Sequence, residues 1–149
     1  MNNLKTIIAI WHSGEKGKTE TVRDIAQNLM RFYPTFKSIY PNPAKVHPKY
    51  DFRLVIKING KIIGIESQGD PKTNLEKRLE ELVNKYNCDI IYCTTRTRGE
   101  TVKAVENVAV TFGYDQIWTS TYQTTGNHSL VNDLKAKHII DLTQKLGLI

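Results

Sequence analysis

An eight-residue segment near the N-terminus constrains the fold of this chain more than any other feature. The segment His12–Thr19, with the sequence His-Ser-Gly-Glu-Lys-Gly-Lys-Thr, follows the apolar, strand-like run Ile7–Trp11 and precedes a helix-patterned segment. Glycines let a backbone come close to an anion, a lysine supplies a compact ammonium, and a threonine hydroxyl can hold Mg²⁺. The pattern therefore predicts a strand, a phosphate-binding loop and a helix N-terminus in succession.

In this segment the chain resembles the P-loop nucleoside triphosphatases, whose motif also ends in Gly-Lys-Thr. That motif opens with Gly, whereas this chain has His12. The resemblance implies that Lys18 reaches the β- and γ-phosphates and that Thr19 ligates Mg²⁺. A lysine-rich surface turn is the alternative interpretation. The residues expected to contact the nucleotide in this segment are Ser13, Gly14, Glu15, Lys16, Gly17, Lys18, Thr19 and Glu20.

The composition predicts a single domain spanning residues 1–149. A chain of 149 residues with 40% hydrophobic and 24% charged residues has an ordinary globular composition. Its apolar runs reach only about five residues, far short of a membrane span, and no signal-peptide core follows Met1. We therefore expect a cytoplasmic protein without membrane contact, in which Cys88 and Cys93 serve in packing and Trp11 lies in the core.

The formal charge of +6 suits phosphate-bearing partners in general. It does not distinguish a nucleotide from a phosphorylated metabolite or a nucleic acid, and solubility alone accounts for it equally well. No long basic run supports nucleic-acid binding.

Hydrophobic periodicity predicts alternating strands and helices. Asn59-Gly60 lies between two alternating runs and predicts a β-hairpin. Asp70-Pro71 has the form of a helix N-cap followed by proline, and Gly113 that of a helix C-terminus. The predicted strands span residues 4–11, 52–58, 61–67, 90–93 and 116–122, with a short one near 38–40, and the predicted helices begin near residues 19, 70, 99 and 130.

This order predicts an α/β fold. It is a three-layer, P-loop NTPase-like arrangement, with a mainly parallel sheet and one antiparallel edge strand supplied by the hairpin. The layout is similar to that of the small-GTPase branch of the P-loop family.

A second candidate segment, Glu66-Ser67-Gln68-Gly69, follows the apolar run Ile62–Ile65. It is similar to the Asp-x-x-Gly motif of GTPases, with Glu in place of Asp. The resemblance implies that Glu66 is the acid on the magnesium side and that the Gly69 backbone N–H senses the γ-phosphate. Gln68 or Asp70 would orient water. Alternatively, Glu66 is the exposed end of an alternating strand and Asp70 is only a helix cap.

Arginines follow the next predicted strand, in Thr94-Thr95-Arg96-Thr97-Arg98. Arg96 or Arg98 at this edge would stabilise charge on a phosphoryl group, or both are solvated loop residues. GTPases carry Asn-Lys-x-Asp here to recognise guanine, and its absence favours ATP over GTP.

Together these residues predict Mg²⁺-dependent hydrolysis of a nucleoside triphosphate, with Lys18, Glu66, Arg96 and Arg98 as catalytic groups and Mg²⁺ held by Thr19 and Glu66. A nucleotide or small-molecule kinase is one alternative, and a non-catalytic module that binds a nucleotide or anion is another. The loop at residues 40–50 falls where GTPases have their first switch. It is the candidate surface for a phosphorylated acceptor or a partner protein.

Overall fold

The computed structural model describes residues 5–11 and 18–149, with Lys18 described at its backbone only. In this part of the chain six strands alternate with four helices. Their bounds are β1 Thr6–Trp11, α1 Lys18–Phe32, β2 Lys37–Tyr40, β3 Arg53–Ile58, β4 Lys61–Glu66, α2 Leu75–Asn84, β5 Ile90–Thr95, α3 Glu100–Phe112, β6 Asp115–Ser120 and α4 His128–Lys145.

The strands form one sheet in the order β2-β3-β4-β5-β1-β6. Neighbours from β4 to β6 are parallel, and β3 is antiparallel to both β2 and β4. The predicted α/β class and the mainly parallel sheet are confirmed. The hairpin does not supply the edge strand, however, because β2 pairs with the outer side of β3. The β4 strand also does not adjoin β1, since β5 lies between them.

The Asn59-Gly60 turn has the geometry that the sequence predicts. Both residues have positive φ, 50° at Asn59 and 80° at Gly60, as a tight turn between antiparallel strands requires. It joins β3 to β4 with Ile58 opposite Lys61. The register places Leu54 and Ile56 on one face of the sheet and Val55 on the other.

Helices cover both faces of the sheet. One apolar cluster joins Ile8, Ile10 and Tyr92 to residues of α1 and α4, and the other joins Ile7 and Ala9 to residues of α2 and α3. Burial on both faces explains why β1 and β5 are almost continuously apolar in sequence. Among the residues that the structure describes, no helix has both the length and the apolar character needed to cross a bilayer.

The two cysteines are free and buried, which confirms a packing role. Burial raises the pKa of the Cys88 thiol to about 12, so it remains protonated and inert near neutral pH. The expectation that Trp11 lies in the core is wrong. It ends β1 and is 36% exposed, because the strand leaves the core at this residue.

The start of α2 differs from the prediction. The helix begins at Leu75, and its N-cap is Asn74, with φ of 59°. Asp70 is therefore not a helix cap, and residues 71–74 form a turn that separates it from the helix. Conversely, α3 ends as predicted at Gly113, which has φ of 74°.

Polar side chains connect α1 to α4. Asn28 donates to Asp133 at 2.9 Å, and Asn132 donates to Glu20 at 3.0 Å. Asp24 lies in the same region, where the nearby arginines do not offset its burial. Burial, then the charges of Asp133 and Glu20, raise the pKa of the Asp24 carboxyl to about 6.

This pKa predicts the effect of Asp24→Asn on stability. A carboxyl that binds its proton more tightly in the folded state lowers the free energy of unfolding as pH rises, here from about 4 through about 6. Because Asp24 is only half-buried, we expect Asp24→Asn to gain about 1 kcal/mol at pH 7 and to flatten the pH profile in that window.

Urea unfolding at pH 4 to 7 measures both effects. Asp141→Asn is the matched control, because Asp141 pairs with Lys145 on an exposed turn of α4. A loss of stability in Asp24→Asn at pH 7 would show that the charged carboxylate is favourably bound.

Candidate functional site

The carboxyl ends of β1, β4, β5 and β6 lie at the same edge of the sheet because these strands are parallel. The helix α1 begins at this edge, at Lys18. Open α/β sheets bind ligands at this edge. The structure thus places the start of α1 and the polar segments after β4 and β5 at one edge of the sheet.

The loop that carries most of the predicted phosphate contacts lies outside the described residues. The roles of Ser13, Gly14, Glu15, Lys16 and Gly17 therefore stay predictions, as does that of the Lys18 side chain. What the structure describes is the strand before the loop and the helix after it, both as predicted.

The first turn of α1 contains Thr19 and Glu20, both partly buried. The Glu20 carboxylate accepts a hydrogen bond from Asn132 Nδ2 at 3.0 Å. It thus joins α1 to α4. A carboxylate in the first turn of a helix is itself favourable, because the backbone N–H groups there are unpaired. The predicted contact of Glu20 with a nucleotide stays a prediction.

Glu66 ends β4 as a buried ion-pair partner. Its carboxylate lies 2.8 Å from Arg53 Nε and 3.9 Å from Arg78 Nη1, and its side chain is only 2% exposed. Burial raises the pKa of the Glu66 carboxyl, and the two guanidinium groups oppose that rise. The interpretation of Glu66 as an exposed strand end is wrong.

The surroundings of Glu66 are a polar cavity of about 260 Å³. Arg53 also donates to the Arg78 carbonyl at 3.1 Å, so the two arginines form one network with the carboxylate. Neither arginine is among the site residues predicted from the sequence. The cavity is lined by Tyr40, Asp51, Phe52, Arg53, Glu66, Gln68, Arg78 and Glu81.

The segment after Glu66 packs tightly against the end of β5. Ser67 bonds Phe52 and Asp51, and its carbonyl accepts a hydrogen bond from Thr94 Oγ1 at 2.8 Å. A Cβ added to Gly69 would lie 1.8 Å from the Thr94 carbonyl oxygen. Only glycine therefore permits this approach, which holds residues 67–70 against the carboxyl end of the strand adjacent to β1.

Asp70 and Arg96 form an ion pair at this edge, with 3.1 Å between Asp70 Oδ1 and Arg96 Nε. Both side chains are about one third exposed. The Arg96 backbone N–H is fixed by Thr101 Oγ1 at 3.0 Å. Among the described residues this pair joins the β4 and β5 segments at the sheet edge, and it is accessible to a ligand.

The remaining predicted residues are less constrained. Arg98 is exposed and forms no ion pair with any described residue. Thr121, which the sequence analysis did not single out, directly follows β6 and is 4% exposed, and its hydroxyl has no hydrogen-bond partner among the described residues. No sequence signal distinguishes it from other threonines.

The 40–50 loop is fastened to α1. Arg23 donates from Nε to the His47 carbonyl at 2.8 Å and from Nη2 to the Tyr50 carbonyl at 3.3 Å. His47 Nδ1 in turn accepts the backbone N–H groups of Lys49 and Tyr50. The loop is therefore attached to the helix that follows the predicted phosphate-binding loop.

The described residues contain no cluster of three or more metal-ligating side chains. Mg²⁺ at a nucleotide site needs only one or two protein ligands, because phosphate oxygens and water complete its shell. Thr19 with one carboxylate at the sheet edge fits that requirement. Of the two candidate carboxylates, Asp70 is the more accessible, since two arginines surround Glu66.

Comparison with known proteins gives no match to a protein-family profile, to a curated protein or to a solved structure. The assignment of a function to this site therefore depends on its residues.

The ion pairs predict that Glu66→Gln destabilises the folded chain. Removing the charge takes away the counterion of Arg78 and leaves Arg53 only the exposed Glu81, so we expect a loss of about 3 kcal/mol. Urea unfolding without nucleotide or Mg²⁺ measures it. Glu81→Gln is the matched control, because Glu81 is 45% exposed and 3.6 Å from Arg53. A gain in stability would contradict this assignment and indicate a carboxylate kept for a ligand.

Proposed function

We propose that this chain binds a nucleoside triphosphate, preferably ATP, and hydrolyses it with Mg²⁺. The observation that carries the proposal is the position of Lys18-Thr19 at the start of α1. The described β1 ends directly before the loop and the described α1 begins at Lys18, on the carboxyl edge where Asp70 and Arg96 also lie. The same sheet and helix arrangement supports assignment to a P-loop NTPase-like fold.

Each group at the edge has a chemical role in this proposal. Lys18 and the backbone N–H groups at the start of α1 bind the phosphates, and Thr19 provides a hydroxyl for the metal. We assign the role of the acid on the magnesium side to Asp70 in place of Glu66, because Arg53 and Arg78 already neutralise Glu66. Bound Mg²⁺ would neutralise charge on the phosphate oxygens.

Arg96 supplies the positive charge for the transition state. It is now paired with Asp70, and its guanidinium is partly exposed. A γ-phosphate at this edge would compete with Asp70 for the guanidinium, since both present oxygens to the same donors. Transfer of Arg96 to the phosphate would leave the Asp70 carboxylate to orient the attacking water. Most of the rate would come from positioning and charge stabilisation.

The proposal predicts that Lys18→Ala loses nucleotide binding and turnover while keeping its fold. Calorimetry with ATP, GTP and sulfate measures binding, and phosphate release measures turnover. Lys145→Ala is the matched control, because Lys145 pairs with Asp141 at the far end of α4. Unchanged phosphate release in Lys18→Ala would exclude the hydrolase. Tight ATP binding by the native chain without turnover would select a non-catalytic module.

A kinase is the second candidate, and one cavity favours it. A cavity of about 350 Å³ adjoins Asp70 and lies between the start of α2 and the start of α3. It is large enough for a small acceptor, and Asp70 at its rim would accept the proton of an acceptor hydroxyl. The cavity is lined by Asp70, Lys72, Asn74, Leu75, Glu76, Glu100, Thr101 and Ala104.

The kinase predicts transfer of labelled γ-phosphate from ATP to a nucleoside, a nucleotide or another small hydroxyl compound. Ala104→Phe, which fills the cavity, would then reduce transfer while phosphate release to water persists. If inorganic phosphate is the only product with every acceptor, and Ala104→Phe changes nothing, the hydrolase stands and the kinase is excluded.

A further inference from the structure

The two outer strands of the sheet, β2 and β6, differ in how well they are protected from pairing with a further strand. At one edge, β2 has four residues, an irregular register with β3 and a proline directly after it, all of which discourage further pairing. At the other edge, β6 pairs with β1 in unbroken register over six residues. It contains no proline and no lysine. No described residue pairs with its outer side, so its backbone can accept another strand.

Lys135 lies beside this open edge, and no described residue provides it with a counterion. Lys135 Nζ donates to Thr119 Oγ1 at 2.8 Å and lies 4.6 Å from the centre of the Tyr122 ring. Burial lowers the pKa of the Lys135 ammonium. Within the described part of the chain it forms no ion pair. The exposed Asp115 at the start of β6 likewise forms no ion pair there, although its backbone N–H is bonded to Lys5.

We propose that the occupant of this edge is a second copy of the chain, paired through β6. A two-fold axis perpendicular to the sheet makes the two β6 strands antiparallel and keeps both α4 helices on one face. Residues directly opposite each other in such a pair share a face. With Ile117 opposite Ile117 of the second copy, Asp115 lies opposite Thr119 of that copy.

This register gives Asp115 and Lys135, which form no ion pair with any described residue, a partner of opposite charge in the second copy. The Lys135 ammonium donates to the Thr119 hydroxyl of its own copy. Asp115 of each copy therefore lies next to Lys135 of the other copy and pairs with it. The two-fold axis creates this ion pair twice. Each chain has a formal charge of +6, which opposes association. Two complementary pairs at the contact reduce that repulsion and fix the register.

An exposed apolar strip on α4 adds area to the same contact. Lys135, His138 and Leu142 lie on one helical face, by their spacing of three and seven residues, and His138 Nδ1 bonds the Tyr122 hydroxyl beside β6 at 2.8 Å. The apolar strip consists of Leu134, Leu142 and Leu146, which lie on this face or next to it. Leu134 and Leu142 are about two fifths exposed, and Leu146 is half exposed. In the two-fold arrangement the strips of both copies lie on the same side of the extended sheet, where they cover each other.

Charge exchange tests the pairing. Sedimentation equilibrium should show a native dimer at micromolar concentration. Asp115→Lys and Lys135→Glu should each weaken it at least about tenfold, because like charges then face each other at both pairs. An equimolar mixture of the two variants should restore a dimer, in this case a heterodimer. In it the lysine introduced at position 115 of one chain faces the glutamate introduced at position 135 of the other, and the two native residues face each other as before.

Glu106→Lys and Lys103→Glu, at exposed positions of α3, make the same charge changes away from β6 and should leave the dimer unchanged. Circular dichroism confirms that every variant is folded. A native chain that stays monomeric at about 100 µM, where a dimer with a micromolar Kd would be largely formed, would overturn the proposal. So would a dimer that both single variants leave intact, or a mixture that does not associate.

Discussion

The burial of β5 on both faces and both edges determines where charged side chains can lie at the centre of the sheet. All six residues of the strand are buried, and β1 and β4 pair with its two sides. A polar group can be accommodated inside such a strand only with a partner, so Thr94 donates to Ser67 and Thr95 to the Arg96 carbonyl. Charged residues begin only where the strand ends, at Arg96. The site at the carboxyl edge is thus a consequence of this burial.

The same strand separates the end of β4 from the end of β1. Glu66, at the end of β4, is two strand spacings, roughly 10 Å, from the end of β1, because β5 lies between β4 and β1. Gly69, which packs on Thr94, and Asp70, which pairs with Arg96, cross the first of these two spacings, from β4 to the end of β5. For this reason the accessible acid at the edge is four residues beyond the end of β4. Glu66 holds β3 and α2 together through Arg53 and Arg78.

Much of the fold follows from local patterns, and the site only in part. The hairpin is predicted because Asn59-Gly60 favours positive φ at both residues, and β1 and β5 because uninterrupted apolar runs suit doubly covered strands. Strand order is not predictable in this way. Nothing local in residues 61–66 specifies β5 in place of β1 as the neighbour of β4. The same limit applies to Glu66, since a carboxylate after an apolar run looks alike in sequence whether it meets solvent, a metal or Arg53. The prediction of a helix cap at Asp70-Pro71 is wrong for a different reason. The N-cap of α2 is Asn74, in a left-handed conformation, four residues further along the chain.

The proposed pairing through β6 and the proposed nucleotide site are compatible. The pairing uses the outer side of β6, whereas the site lies at the carboxyl ends of the parallel strands. Antiparallel strands at a two-fold axis direct the carboxyl ends of the two sheets in opposite directions. Each copy would therefore present its own Asp70 and Arg96 at opposite ends of the dimer, where neither blocks the other. Thr121 follows β6 directly and lies within the carboxyl edge of its own copy, with a buried hydroxyl that no described residue satisfies.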